Sequence, residues 1–199
     1  MNNNRRDFLK LSGLAALGGS AKWEIKDLAT SMQVEQGKQA FNMSGYAAPK
    51  IETVRIGFIG LGNRGSGAIT RVNRIDGVKT VAVCDIRKEK TDAALNALGK
   101  MGIQPIVYTE KEEAWKAMCD RPDIDLIYIA TPWHLHTPMA VYAMKQGKHV
   151  AVEVPAATTL EECWQLVETS EKTKKHCMML ENCCYDFFEL LTLNMARQG

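Results

Sequence analysis

An α/β fold with a doubly wound parallel sheet is the architecture this sequence predicts, on three observations. Beyond Pro49 the chain alternates short β-branched runs with longer helical stretches, six of each. The strand segments are apolar at nearly every position rather than at alternate ones, as in strands covered on both faces. The first strand also ends in glycines that open a helix, the connection from which such sheets are wound.

The elements follow in order. Val54–Ile59 (VRIGFI) reads as a buried strand, and the helix after it runs from Gly65 towards Arg74. Thr80–Cys84 (TVAVC) is a second β-branched strand, followed by a helix over Lys88–Lys100 with Ala93, Ala94, Leu95, Ala97 and Leu98 as its apolar face. Pro105–Tyr108 and Lys111–Cys119 form the third pair, and Leu126–Ala130 (LIYIA) is the fourth strand. A helix over Thr137–Gln146 is stopped by Gly147, a residue suited to the left-handed turn that ends helices. His149–Val152, Leu160–Lys174, Cys177–Leu180 and Asp186–Gln198 complete the alternation. Right-handed crossovers then place helices on both faces of the sheet.

Composition sets the outer bounds. The 199 residues suffice for one ordinary domain with extensions. A net charge of +2 gives no electrostatic case for nucleic acid, and no apolar run reaches the ~20 residues of a membrane span. Cys84, Cys119, Cys163, Cys177, Cys183 and Cys184 lack paired spacing, so they read as buried free thiols rather than zinc ligands. At the N-terminus, Arg5-Arg6 precede a short apolar run that ends in Gly19-Ser20-Ala21. Residues 1–31 therefore read as a twin-arginine signal region for export of a folded protein to the periplasm or cell envelope. An amphipathic helix is the alternative for this stretch. Residues 32–53 read as a linker with at most one short helix.

The loop after the first strand carries the chemistry. Gly60-Leu61-Gly62-Asn63-Arg64-Gly65 has the G-x-G-x-x-G spacing between a strand and a helix. Gly60 permits the tight turn, Gly62 lets a pyrophosphate approach the backbone, and Gly65 lets the helix pack on the strand. The helix N-terminus offers free N–H groups to phosphates. Asn63 and Arg64 bring side-chain donors to the same loop. Asp85 follows Gly65 by twenty positions, where a ribose-binding acid belongs, and favours NAD over NADP. Arg87 pulls the other way, since an arginine there accommodates a 2′-phosphate. Together these features predict a Rossmann-like NAD-binding domain over residues 54–182.

The loops after strands four, five and six open into the same crevice. They are Thr131–His136, Glu153-Val154-Pro155 and Glu181-Asn182. His134 and His136 lack a third ligand, so no metal is expected; Trp133 and Leu135 are placed to cover the nicotinamide or its ribose. Loop histidines without a role are the alternative.

These residues resemble the glucose–fructose oxidoreductase (Gfo/Idh/MocA) superfamily in the glycine loop, Asp85, Thr131-Pro132 with His134 and His136, and Glu153-x-Pro155. Its members continue into an α/β substrate domain. Its dehydrogenases usually carry Glu-Lys-Pro after strand five, whose lysine assists proton transfer. Val154 stands there instead, with no proton to exchange, so a plain dehydrogenase is not implied. The twin arginines with GNRGSG, CD, TPWHLHTPMA, VEVPAA and MMLEN resemble glycoside hydrolase family 109 closely. Those are NAD-dependent α-N-acetylgalactosaminidases.

The resemblance implies NAD contacts from Asn63, Arg64, Asp85, Trp133, His134, Leu135, His136, Glu153, Val154 and Asn182. It implies hydrolysis of terminal α-N-acetylgalactosamine from glycans by oxidation at the sugar, elimination, water addition and reduction, with retention and no net redox change. Such a route lies outside the paired-carboxylate scheme. The catalytic acid and base are not identified. Tyr185 is the one candidate, with packing on the following helix as the favoured alternative. Residues 183–199 are expected to begin a substrate domain that is cut short, with homo-oligomer formation left open for the full-length form. A sugar or cyclitol dehydrogenase and a non-catalytic NAD-binding remnant are the competing readings.

Overall fold

A computed structural model describes residues 41–198; the predicted signal region and the first part of the linker, residues 32–40, lie outside the described residues. Six strands form one sheet: β1 (Val54–Ile59), β2 (Val78–Asp85), β3 (Ile106–Thr109), β4 (Leu126–Ile129), β5 (His149–Val152) and β6 (Cys177–Met179). Their order is β3-β2-β1-β4-β5-β6, with every pair parallel. The direction of winding reverses between β1 and β4, which opens a crevice at the carboxyl ends of those strands. The helices are α1 (Asn63–Val72), α2 (Lys88–Gly99), α3 (Ala114–Cys119), α4 (His136–Lys145), α5 (Leu160–Thr173) and α6 (Phe187–Gln198).

Strand alternation divides the core into two layers. On one face Ile69 of α1 and Ala94 and Leu98 of α2 pack with Phe58, Val83, Tyr128 and Ala151. On the other, Met118 of α3, Met139 and Met144 of α4 and Leu166 of α5 pack with Ile127, Ile129, Val150 and Val152. Neighbouring residues of β4 and β5 thus serve opposite faces, as the two-residue period of a strand requires. Leu98 is fully buried, and its truncation to alanine would cost about 2–5 kcal/mol. Helix α5 begins with a capping box: the Thr159 hydroxyl accepts the Glu162 N–H at 3.2 Å and the Glu162 carboxylate accepts the Thr159 N–H at 3.3 Å.

Several boundaries differ from the sequence expectation. β2 begins two residues early and takes in Asp85. α3 starts only at Ala114, after a turn in which Glu110 adopts φ +62°. A 3₁₀ turn over Trp133–Leu135 precedes α4, and another over Asn182–Tyr185 precedes α6. On α2, Thr91, Ala94 and Leu98 are buried, whereas Ala93 faces solvent. That stripe is narrower than the run of alanines suggested. All six cysteines are free, but only Cys84 and Cys119 are buried; Cys163, Cys183 and Cys184 are exposed. The expectation of buried thiols therefore fails for the residues on the solvent side of α5 and in the turn after β6. No helix among the described residues is long and apolar enough to cross a membrane.

Candidate dinucleotide site

The turn from β1 into α1 lies at the switch point, and its glycines act differently. Gly60 has φ +87°, and a Cβ there would lie 2.4 Å from the Ala130 carbonyl oxygen. A Cβ on Gly65 would lie 1.9 Å from the Gly60 carbonyl oxygen, so both residues are required by backbone approach. Around Gly62 a Cβ would meet nothing nearer than Arg87 Nη2 at 4.0 Å. The space over Gly62 is therefore open, and no side chain caps α1. The unpaired N–H groups of that helix start can receive a phosphate there. Asn63 and Arg64 flank it at the surface.

Asp85 sits buried at the end of β2. Its Oδ2 accepts the Leu61 N–H at 2.7 Å and its Oδ1 accepts the Arg87 N–H at 3.0 Å. The carboxylate thus pins the glycine turn, and each oxygen retains a lone pair for a ribose hydroxyl. The Arg87 guanidinium lies 3.8 Å from Asp85 and 3.9 Å from Glu89. Two carboxylates offset its charge, which weakens it as a receptor for a 2′-phosphate.

Across the switch point, Arg64 spans three strand ends. Its Nε donates to Glu153 Oε2 at 3.0 Å and its Nη2 to Asn182 Oδ1 at 2.8 Å. The hydrogen bond and charge of Glu153 raise the Arg64 pKa, so the guanidinium stays protonated. Glu153 Oε1 accepts the Tyr128 hydroxyl at 2.6 Å. Burial, then this carboxylate, pushes the Tyr128 phenol up.

The loop after β4 is tied to the loop after β5. His136 is only 1 % exposed. Its Nδ1 lies 2.7 Å from the Pro155 carbonyl oxygen and its Nε2 2.7 Å from that of Thr131. The Thr137 hydroxyl donates to Ala156 O at 3.0 Å. His136 therefore braces the two loops from the interior, while Trp133 (64 % exposed) and His134 face outwards on the 3₁₀ turn. Leu135 and Val154 are half-buried. Tyr185 is 64 % exposed and not packed away as favoured from sequence. Among the described residues, no group of three His, Cys, Asp or Glu side chains is placed to hold a metal.

Residues 54–181 match the family model described as an oxidoreductase family with an NAD-binding Rossmann fold, GFO_IDH_MocA. The chain belongs to the Gfo/Idh/MocA family. It is 50 % identical over 193 residues to glycosyl hydrolase family 109 protein 1 of Bacteroides fragilis strain YCH46, covering 96 % of this chain and 41 % of that protein. It is 57 % identical over 156 residues to a B. fragilis protein named alpha-N-acetylgalactosaminidase, covering 78 % of this chain and 36 % of that one. The chain thus spans about two fifths of the length of the curated relatives it matches. Among solved structures, myo-inositol 2-dehydrogenase from Lactobacillus plantarum aligns with a TM-score of 0.62 at 27 % identity, over 74 % of this chain and 42 % of that one.

As a Gfo/Idh/MocA member the domain binds NAD, and the open backbone over Gly62 beside the buried Asp85 fits that cofactor. Tyr128 and Thr137 are site-supporting residues that motif spacing did not single out. Tyr128 had a signal: a tyrosine inside a fully buried strand needs a partner for its hydroxyl. Tyr128 pairs in register with Ala151, and Glu153, two residues on, shares that face of the sheet.

Proposed function

We propose that this chain supplies the NAD-holding part of a glycoside hydrolase that removes terminal α-N-acetylgalactosamine from glycans. The observation that carries the reading is the joint one of a dinucleotide crevice with Val154 at the proton-relay position and a 57 % identical relative named alpha-N-acetylgalactosaminidase. Bound NAD supplies a reversible hydride acceptor to the sugar. The chain's own residues hold and orient it: Gly62 and the α1 N-terminus at the pyrophosphate, Asp85 at the adenosine ribose, and Arg64, Glu153 and Asn182 around the nicotinamide end. Asn63 donates at the phosphates, and Trp133, His134, Leu135 and Val154 cover the ring side. His136 acts one layer deeper, holding those loops together. A route without net redox change suits an exported protein, and export by the twin-arginine pathway is part of this proposal.

The test uses this chain alone and a chimera in which it replaces the matching portion of the B. fragilis alpha-N-acetylgalactosaminidase. The chain alone retains NAD, measured by mass spectrometry after denaturation, and releases no p-nitrophenol from the α-N-acetylgalactosaminide. The chimera releases p-nitrophenol without accumulating NADH. A chimera that holds NAD but leaves the glycoside intact, or that reduces NAD⁺ stoichiometrically with a sugar or cyclitol, overturns the glycosidase reading.

A further inference from the structure

We propose that Tyr128 is a positioning residue of the dinucleotide site. Its hydroxyl fixes the Glu153 carboxylate, and through it the Arg64 crossbar, over the half of the crevice that takes the nicotinamide end. The inference rests on the NAD-binding reading of the crevice and adds to it a residue from the core.

Four linked contacts carry the argument. The Tyr128 ring is buried (7 % exposed) and stacks on Phe58, with centroids 4.8 Å apart and planes 24° from parallel. Phe58, a residue of β1, is itself fully buried in the same core layer as Ile69 of α1. The phenol therefore cannot swing, and its hydroxyl is a fixed point at the floor of the crevice. From there a 2.6 Å bond reaches Glu153 Oε1, in the range of charge-assisted O–H···O⁻ bonds. The second carboxylate oxygen accepts from Arg64 at 3.0 Å, and Arg64 then reaches Asn182 at 2.8 Å.

The backbone at this point needs no help from Tyr128. The Glu153 N–H donates to Ile129 O at 3.0 Å, which continues the β4–β5 ladder. What the phenol adds is the rotamer of the Glu153 side chain. With its hydroxyl removed, one carboxylate oxygen lies in a site where that side chain is only 8 % exposed and has lost its buried donor. Turning outwards to find water would carry the Arg64 end of the chain with it.

Topology separates the two ends of the cofactor. Pyrophosphate belongs at the β1/β4 switch, and Asp85 lies on the β2 side of it, so the adenosine half lies over β2 and β1. Glu153 and Asn182 follow β5 and β6 on the other side. A defect at Tyr128 must therefore weaken NAD⁺ while sparing a ligand that stops at the diphosphate.

The experiment is calorimetric titration of this chain with NAD⁺ and with ADP, for wild type, Tyr128→Phe, Glu153→Gln and the double variant. Tyr128→Phe is expected to weaken NAD⁺ about tenfold and ADP less than twofold. The double variant is expected to lose no more than Glu153→Gln alone, because the phenol acts through that carboxylate. Equal losses for both ligands would mean a general structural role and overturn the proposal. Unchanged NAD⁺ affinity in Tyr128→Phe, or additive losses in the double variant, would overturn it as well. A wild-type chain that binds ADP but not NAD⁺ removes the proposal alone, whereas one that binds neither removes the cofactor reading beneath it.

Discussion

Gly65 and Gly62 lie three residues apart in one motif, yet alanine at each is expected to fail in opposite ways. At Gly65 the new Cβ would lie 1.9 Å from the Gly60 carbonyl oxygen and 3.5 Å from the Ala130 side chain. An ordinary C···O contact needs more than a further ångström. The obstacle is backbone on a turn that is itself held by the Gly60 N–H bond to Cys84 O at 2.8 Å, so neither side yields cheaply. Overpacking costs about 1–3 kcal/mol where side chains can adjust. Here the upper end or above is expected, a fall in Tm of roughly 6–12 °C for a domain of this size. At Gly62 the backbone has φ −68°, which alanine accepts, and its Cβ would meet only Arg87 Nη2 at 4.0 Å. Gly62→Ala should therefore melt like wild type. Its methyl would instead stand where a diphosphate must approach the α1 N–H groups. Losing two charge-assisted hydrogen bonds at about 1.5 kcal/mol or more each lowers NAD⁺ affinity by roughly 100-fold or more. Scanning calorimetry and NAD⁺ titration on the two variants decide the matter. A Gly62→Ala variant that binds NAD⁺ as wild type does would refute the phosphate placement. A Gly65→Ala variant with an unchanged Tm would refute the close-approach argument.

Asp85→Asn keeps an acceptor for only one of the Leu61 and Arg87 N–H groups, so NAD⁺ affinity should fall while the NADP⁺ to NAD⁺ preference rises; an unchanged preference would separate Asp85 from the ribose. Burial first, then the charges of Lys175 and His176, lowers the His149 pKa. The unfolded chain then binds more protons than the folded one, so stability is full above pH 6.5 and falls as the pH drops below it, levelling once the lowered native value is passed. Chemical denaturation from about pH 8 to about pH 5 should show that decline, and His149→Asn, which keeps an acceptor for the His176 N–H, should flatten it. The Arg55 hydrogen bond holds Asp125 below its usual 3.8, and the three N–H bonds it accepts from Arg55 make Asp125→Asn cost about 1–2 kcal/mol at neutral pH. That difference should close as the pH falls below about 3.8, because the stabilisation resides in the ionised form.

What the sequence made legible was whatever a single residue type enforces on its own backbone. Gly60 and Gly65 were readable because no other residue tolerates those approaches, and the place of Asp85 at the end of β2 because the β-branched run before it marks the strand. The apolar strands were readable for the same kind of reason, since only double-sided burial removes their alternation. Roles that depend on distant partners were not. Arg64 read as a cofactor-facing donor in a glycine loop, and its partners Glu153 and Asn182, 89 and 118 residues away, were not foreseen. His136 was implied by resemblance as an NAD contact, and its bracing bond to the Pro155 carbonyl was invisible because that carbonyl arrives with the loop after β5. The exposed cysteines were misread because apolar neighbours in sequence do not say which side of a helix a thiol occupies.

The division of labour in the crevice follows from which protons there are free to move. Arg64 is kept protonated by Glu153, and the Tyr128 phenol is kept protonated by burial and by the same carboxylate. Val154 has no proton to exchange, and both ring nitrogens of His136 face carbonyl oxygens in the interior. The floor of the site therefore holds and orients, and a mechanism that needs a base and an acid must draw them from elsewhere. Among the described residues, the protic side chains open to solvent on the turns at the crevice include His134 after β4 and Cys183, Cys184 and Tyr185 after β6. If either His134 or Tyr185 carries a proton in the reaction of the chimera, His134→Gln or Tyr185→Phe should alter the pH dependence of kcat, and Tyr185→Phe should do so with NAD content intact. If neither does, the thiols of Cys183 and Cys184 and the portion supplied by the relative are the next carriers to test. Tyr128→Phe, by contrast, should lower NAD affinity and leave the shape of that pH profile alone, because its proton never leaves the Glu153 bond.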